Sequence, residues 1–216
     1  MAYPATLAAT LSGATLRQLA YWRRDVPGHG VLLAPEYGQP RSPMYSFRDI
    51  MALRMFVQLR GETSLQRIRR AVAWLAQQHP DTHLSLHRLR AEPGGRTIVW
   101  ISQEGDFFDV VEHQGQAGIK VVMQDILGPF TTVSGRQVPD LVEPTHGVSI
   151  DPDVRGGFPV MTGTRIPYDV VSGLLDDGLD DAEIRQLYPA IWPESLSGAS
   201  EFAHIVEEAI RPQHAA

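Results

Sequence analysis

The twelve residues Gly156-Gly157-Phe158-Pro159-Val160-Met161-Thr162-Gly163-Thr164-Arg165-Ile166-Pro167 constrain this chain more than any other stretch. Glycine admits positive φ, and proline holds φ near one value. So many fixed backbone choices predict a rigid turn leading into a helix. The pattern beyond the turn predicts three helices: Tyr168 to Asp176, Asp180 to Tyr188, and Pro193 to about Ile210. Val170, Val171, Leu174 and Leu175 mark the inward side of the first. Gly178 ends it, and Asp180 or Asp181 caps the next. Ile184, Leu187 and Tyr188 anchor the second helix, and Phe202, Ile205, Val206 and Ala209 give the third its apolar stripe.

The unit from Ile150-Asp151-Pro152 through Tyr188-Pro189 resembles the bacterial domain-of-unknown-function family numbered 433. The resemblance rests on the Gly-Gly-x-Pro…Gly-Thr-Arg-Ile-Pro core and spans about a third of the chain. Members occur mainly in VapB-type antitoxins of toxin–antitoxin pairs. The resemblance therefore implies a C-terminal unit that binds a toxin protein, a PIN-domain ribonuclease of the VapC type. Arg165, Phe202, Ile205 and Arg211 are the residues expected to meet it. Arg165 suits a bidentate anchor, or equally a salt bridge to Asp151 or Asp169.

Charge divides the chain. Residues 1–80 hold ten arginines and four acids, a net +6, whereas residues 81–216 carry a net −12. A basic front suits a phosphate backbone and an acidic back suits a basic protein. Residues 151–216 alone set four arginines against twelve acids, which opposes phosphate binding there. The acids Asp176, Asp177, Asp180, Asp181 and Glu183 lack calcium-loop spacing and read as helix capping and solvation.

In the front part, Thr6 to Leu11 predicts a short helix and Ser12-Gly13-Ala14 a turn. Thr15 caps a second helix, Leu16 to about Arg24, with Leu16, Leu19 and Ala20 inward and Arg17, Gln18, Tyr21 and Arg24 outward. Trp22 is the aromatic more suited to the core. Val31-Leu32-Leu33 and Met44-Tyr45 predict a hairpin. Ser46 caps a helix over Phe47 to Arg60, with Ile50, Leu53, Phe56 and Val57 inward. Thr63 with Gln66 signals a further capped helix, with Leu65, Ile68, Val72 and Leu75 inward and Arg67, Arg69 and Arg70 outward.

The residues from Ser12 to Arg24, Tyr45-Ser46-Phe47-Arg48-Asp49-Ile50 and Thr63-Ser64-Leu65-Gln66-Arg67-Ile68 resemble the winged-helix domain of MerR-like regulators. The resemblance implies that Thr15, Arg17, Gln18, Tyr21 and Arg24 face DNA, with Arg41 on the wing. The chain lacks cysteine, so metal sensing through thiolates, disulfides and cysteine catalysis are excluded.

The middle part predicts a strand from His83 to Arg90, a hairpin signal at Glu92-Pro93-Gly94-Gly95, strands at Arg96 to Ser102 and Phe107 to Glu112, and a helix from Gln116 to Phe130. On an extended strand His83 and His87 would lie about 13 Å apart, too far to share a metal ion. Residues 131 to 145 read as a connector. A small sheet with one helix suits either dimerisation or ligand binding; the helix around Ile119 to Leu127 is the expected dimer seam.

These readings give an α+β, mostly helical chain: a winged helix-turn-helix over 1–80, a small mixed element over 81–145, and a three-helix, helix-turn-helix-like unit over 146–216. The function expected is that of an antitoxin that neutralises its toxin and represses its own operon by binding operator DNA. It would be a homodimer, and a heterotetramer or larger with the toxin. The alternative is a MerR-like regulator sensing a small molecule through the middle or last part. No enzymatic constellation, cofactor motif, metal set, membrane span or leader is evident, so a bacterial cytoplasmic location is expected.

Overall fold

The computed structural model describes residues 2–27, 30–92, 94–102, 107–112 and 126–211. The chain opens with β1 (Tyr3–Pro4), α1 (Ala5–Ser12) and α2 (Leu16–Trp22). Gly13 takes φ 80° to end α1, and the Thr15 side chain caps α2 by accepting the Gln18 N–H. The Gln18 side chain returns the bond to the Thr15 N–H, so two orphan donors are satisfied reciprocally. A hairpin follows, β2 (Tyr37–Gln39) with β3 (Ser42–Tyr45), and β1 adds to its other edge through Tyr3 opposite Tyr45.

Helices α3 (Phe47–Glu62) and α4 (Leu65–Gln78) complete the front part. Ser46 caps α3 with Asp49 as its reciprocal partner, and Ile50, Leu53, Phe56 and Val57 are buried as expected. The middle part is an antiparallel sheet of β4 (Arg88–Ala91), β5 (Ile98–Ile101) and β6 (Phe107–Asp109), followed by the hairpin β7 (Phe130–Thr131) and β8 (Gln137–Val138). The last part pairs β9 (Val148–Ser149) with β10 (Val160–Met161) and adds α5 (Tyr168–Asp176), α6 (Asp181–Leu187) and α7 (Leu196–Ile210). The whole is α+β. One hydrophobic core runs from Tyr3 and Leu11 through Phe56 and Leu75 to Ile184 and Phe202. Helix α7 packs on both α5 and α1, so the two ends of the chain share that core.

Several expectations change. Leu16 and Ala20 are exposed; the inward side of α2 is Leu19 and Trp22, with the Trp22 ring set edge-on against Phe56 in the core. Val31-Leu32-Leu33 is not a strand: the N–H groups of Leu32 and Leu33 both donate to the Trp22 carbonyl and close off α2. The hairpin therefore lies further on, and Met44 faces Tyr37. The cap of α4 is Ser64, since Thr63 ends α3 and donates its hydroxyl to the Gly95 carbonyl. Residues 84–86 form a single 3-10 turn capped by His83, so His83 and His87 are not on one strand. The connector expected at 131–145 contains the β7–β8 hairpin. In the helix expected from Gln116 to Phe130, residues 113–125 lie outside the described residues, as does most of the expected dimer seam, while Ile126 to Gly128 are bends and Phe130 is in β7.

Candidate functional site

Two exposed surfaces gather the residues singled out in the sequence. The first joins α2 to the β2–β3 hairpin. Because Leu19 and Trp22 turn inward, Thr15, Arg17, Tyr21 and Arg24 are exposed, and Gln18 is half-buried in the capping box. The two-residue turn Pro40-Arg41 joins β2 to β3, which sets Arg41 at the hairpin tip. The Arg23 guanidinium donates to the Pro40 carbonyl at 2.5 Å and ties the tip to the end of α2. An open cleft of about 590 Å³ lies between them, edged by Arg23, Arg24, Tyr37 and Gln39. Arg69 stacks over Tyr21 at 5.5 Å and donates to the Gly30 carbonyl, so it fixes Tyr21 from beneath.

Not all of the front arginines belong to this surface. Arg69, expected outside, is 4% exposed, and Arg54 is fully buried. Arg54 donates to the carbonyls of Leu11, Ile126, Leu127, Gly128 and Pro139 and lies 5.0 Å from the Phe130 ring. These peptide oxygens lie where α1 ends and the chain turns toward the last part, and of them Leu127 also accepts the Leu141 N–H. Both arginines do structural work, so the usable positive surface is smaller than the net charge of residues 1–80 suggests. The long separation of their partners in sequence left no local signal for this.

The second surface lies on the last part. Gly163 takes φ 76°, and the Thr164 N–H and hydroxyl both bond to the Met161 carbonyl. The Thr164 hydroxyl also accepts the Ile166 N–H. This closed turn leads into α5 and leaves Arg165 exposed. Among the described residues no ion pair joins Arg165 to Asp151 or Asp169. Gly157 has φ 87°, and a Cβ there would fall 2.6 Å from the Tyr3 hydroxyl, which donates to the Gly157 carbonyl at 2.5 Å. Burial pushes the Tyr3 phenol well above its usual range.

Phe202 is fully buried and meets Tyr168 edge-on at 4.7 Å. It anchors α7 in the core and is not a surface contact, which corrects its expected role toward a partner. Desolvation pushes the Tyr168 phenol up to about 12. Ile205 is half-buried and Arg211 exposed. With Ala209, Val138 and Pro139, Ile205 lines a groove of about 580 Å³ whose rim carries Asp140, Glu143 and Glu208. Arg136, also in the lining, is turned to the Gly13 carbonyl. Sequence reasoning missed this groove because its walls come from α1, β8 and α7. Of the acids around the α5–α6 junction, Asp180 and Glu183 act in capping: Asp180 accepts the N–H groups of Ala182 and Glu183, and Glu183 returns a bond to the Asp180 N–H. Among the described residues no group of three or more histidines or acids is arranged for a metal ion.

Residues 148–203 match the family described as protein of unknown function (DUF433). The DUF433 segment thus covers β9 through most of α7, including the Gly163 turn and the capped α6. The match begins only after the hairpin β7–β8, whose residues line the groove on the side facing α1. The crystal structure of Rv2018 from Mycobacterium tuberculosis is similar to this chain with a TM-score of 0.51 at 17% identity, over 92% of this chain and 96% of that one. At that identity the likeness speaks for the fold. No curated protein matches the chain. Among the described residues no helix is long and apolar enough to cross a membrane.

Proposed function

We propose that this chain is an antitoxin that binds operator DNA through α2 and the β2–β3 hairpin and holds a VapC-type PIN-domain ribonuclease through its last part, residues 146–216, with the groove between α7 and β8 beside the DUF433 segment. The carrying observation is the separation of two exposed surfaces of opposite charge on one core. Arg17, Tyr21 and Arg24 on a doubly capped helix, beside a hairpin tipped by Arg41, suit a helix in the major groove with a flanking wing on the backbone. The groove lined by Ile205 and rimmed by Asp140, Glu143 and Glu208 suits an apolar element of a basic partner. A nuclease presents basic surface to RNA, so an acidic partner is steered to it and competes with RNA there. Operator binding by a single helix covers one half-site, so the chain acts as a homodimer on a two-fold operator, in the bacterial cytoplasm, with a heterotetramer or larger assembly when toxin is present.

The test uses the full chain in two forms. Arg17→Ala/Tyr21→Ala/Arg24→Ala loses operator binding in gel shifts but still rescues growth from the neighbouring toxin gene; Arg17→Ala alone costs about 1–3 kcal/mol if it reads a base. Glu143→Arg/Glu208→Arg binds operator but loses rescue. Wild-type operator affinity in the first form, or full rescue by the second, rejects the corresponding half of the reading.

A further inference from the structure

Helix α2 is held from the inside by a side chain that takes no part in its caps. Arg69 of α4 is 4% exposed. Its guanidinium carbon stands 5.5 Å from the centre of the Tyr21 ring, over the ring face and within range of a cation–π contact. Its Nη1 donates to the Gly30 carbonyl at 2.9 Å. Gly30 exchanges backbone hydrogen bonds with Val26, just past the end of α2. One guanidinium therefore grips both the outward aromatic of α2 and the chain that leaves it.

This placement is costly. A buried cation loses its hydration, which a carboxylate or a full set of acceptors ordinarily restores. Among the described residues no acid pairs with Arg69, and its Nη2 is buried without a hydrogen-bond partner. A methionine would fill the same space between the two helices without that loss. What the guanidinium adds is direction. A cation is attracted to the face of an aromatic ring and repelled by its edge, so it selects the plane in which the ring lies. Tyr21 needs such a constraint, because it is 42% exposed. Among the described residues its side chain makes no hydrogen bond and meets no other ring.

We infer that Arg69 is a positioning residue for DNA recognition: it is too deeply buried to touch a phosphate or a base, and it presets the Tyr21 ring that does. This role rests on the operator-binding reading of α2. Freezing an exposed side chain at an interface lowers affinity by about twofold to tenfold, and a ring already held in place escapes that loss.

The test uses the full chain and a fluorescent duplex carrying the DNA immediately upstream of the gene, with binding followed by anisotropy across a salt series. Arg69→Met leaves no bare acceptor, since the Gly30 carbonyl keeps the Val26 N–H. It is expected to weaken binding about fivefold. The slope of log affinity against log salt is expected to stay as in the wild type, whereas loss of one phosphate contact lowers it by about 0.9. In a Tyr21→Ala background Arg69→Met is expected to change affinity by less than about twofold, because its effect passes through the ring. Tyr21→Phe and Tyr21→Leu probe the same contact from the exposed side and decide the matter if Arg69→Met fails to fold. The phenylalanine keeps a ring face for the guanidinium and is expected to bind about fivefold more tightly than the leucine. Undiminished binding by Arg69→Met, an equal loss in the Tyr21→Ala background, a lowered salt slope, or equal binding by the two Tyr21 variants overturns the inference while wild-type binding stands. A wild-type chain that does not bind the duplex overturns the operator reading itself, and this role with it.

Discussion

Arg54 is the side chain on which the junction of the front, middle and last parts most depends. Arg54→Met keeps the length and removes every donor. The carbonyls of Leu11, Ile126, Gly128 and Pro139 lose this donor, and so does that of Leu127, which keeps the Leu141 N–H. A buried acceptor left unsatisfied costs about 1–3 kcal/mol, and a hydrogen bond to a charged donor is worth about 1.5–3 kcal/mol. Simple addition overshoots, because the substitution also removes the several kcal/mol spent on desolvating the guanidinium. Bare acceptors at about 1–3 kcal/mol each, set against the several kcal/mol of desolvation relieved, leave a net loss of about 3–5 kcal/mol expected here. A chain of this size loses about 2–4 °C of melting temperature per kcal/mol, so the midpoint falls by about 6–20 °C. Urea unfolding followed by circular dichroism supplies the free energy, with an unchanged slope marking a native-state effect. Arg54→Lys should recover only part of the loss, since one ammonium offers three donors to five acceptors. A loss below about 1 kcal/mol for Arg54→Met would show that water or local rearrangement replaces the guanidinium, and the reasoning would fail.

Two further substitutions probe other features. Gly157→Ala meets both a positive φ and the Tyr3 hydroxyl and should cost about 1–3 kcal/mol. Gly163→Ala has a positive φ but open space and should cost only about 1–2 kcal/mol, so thermal unfolding of the pair separates crowding from backbone strain. Because the folded chain holds the His87 pKa below 6.5, unfolded His87 takes up its proton first as the solution is acidified. The stability it contributes is therefore present above pH 6.5 and is lost as pH falls toward the folded pKa; His87→Phe should flatten that part of a stability–pH curve.

Local chemistry was the legible part of this sequence. The expected caps Thr15, Ser46 and Asp180 each land on an observed helix start, with Gln18, Asp49 and Glu183 returning the bond, whereas the Thr63–Gln66 signal misses by one residue because Ser64 is the cap. The Gly178 stop and the three C-terminal helices follow from the same kind of short-range rule. What escaped depends on distance. Leu32 and Leu33 look like a strand, but their amides are taken by Trp22. Arg69 falls on the expected polar side of α4, yet Tyr21 and Gly30 draw it in. The alternation from His83 to Arg90 suggested a strand that instead begins at Arg88, because His83 caps a tight turn of its own. Of the expected contacts, Arg17, Arg24, Arg41, Arg165 and Arg211 are at the surface, whereas Phe202 could not be told from a core residue by an apolar stripe alone.

The hydrogen bond from Tyr3 to Gly157 has a bearing on modularity. The third residue of the chain closes onto the glycine pair that opens the most constrained turn, and α1 lies against α7. The turn works as a socket filled from the far end of the chain. Cutting the chain between the two surfaces would therefore not release two finished modules: each fragment would bear a raw apolar face where the other had been. Heat or denaturant should meet a single cooperative body, and a protease that frees the first few residues would loosen the distant α7 as well.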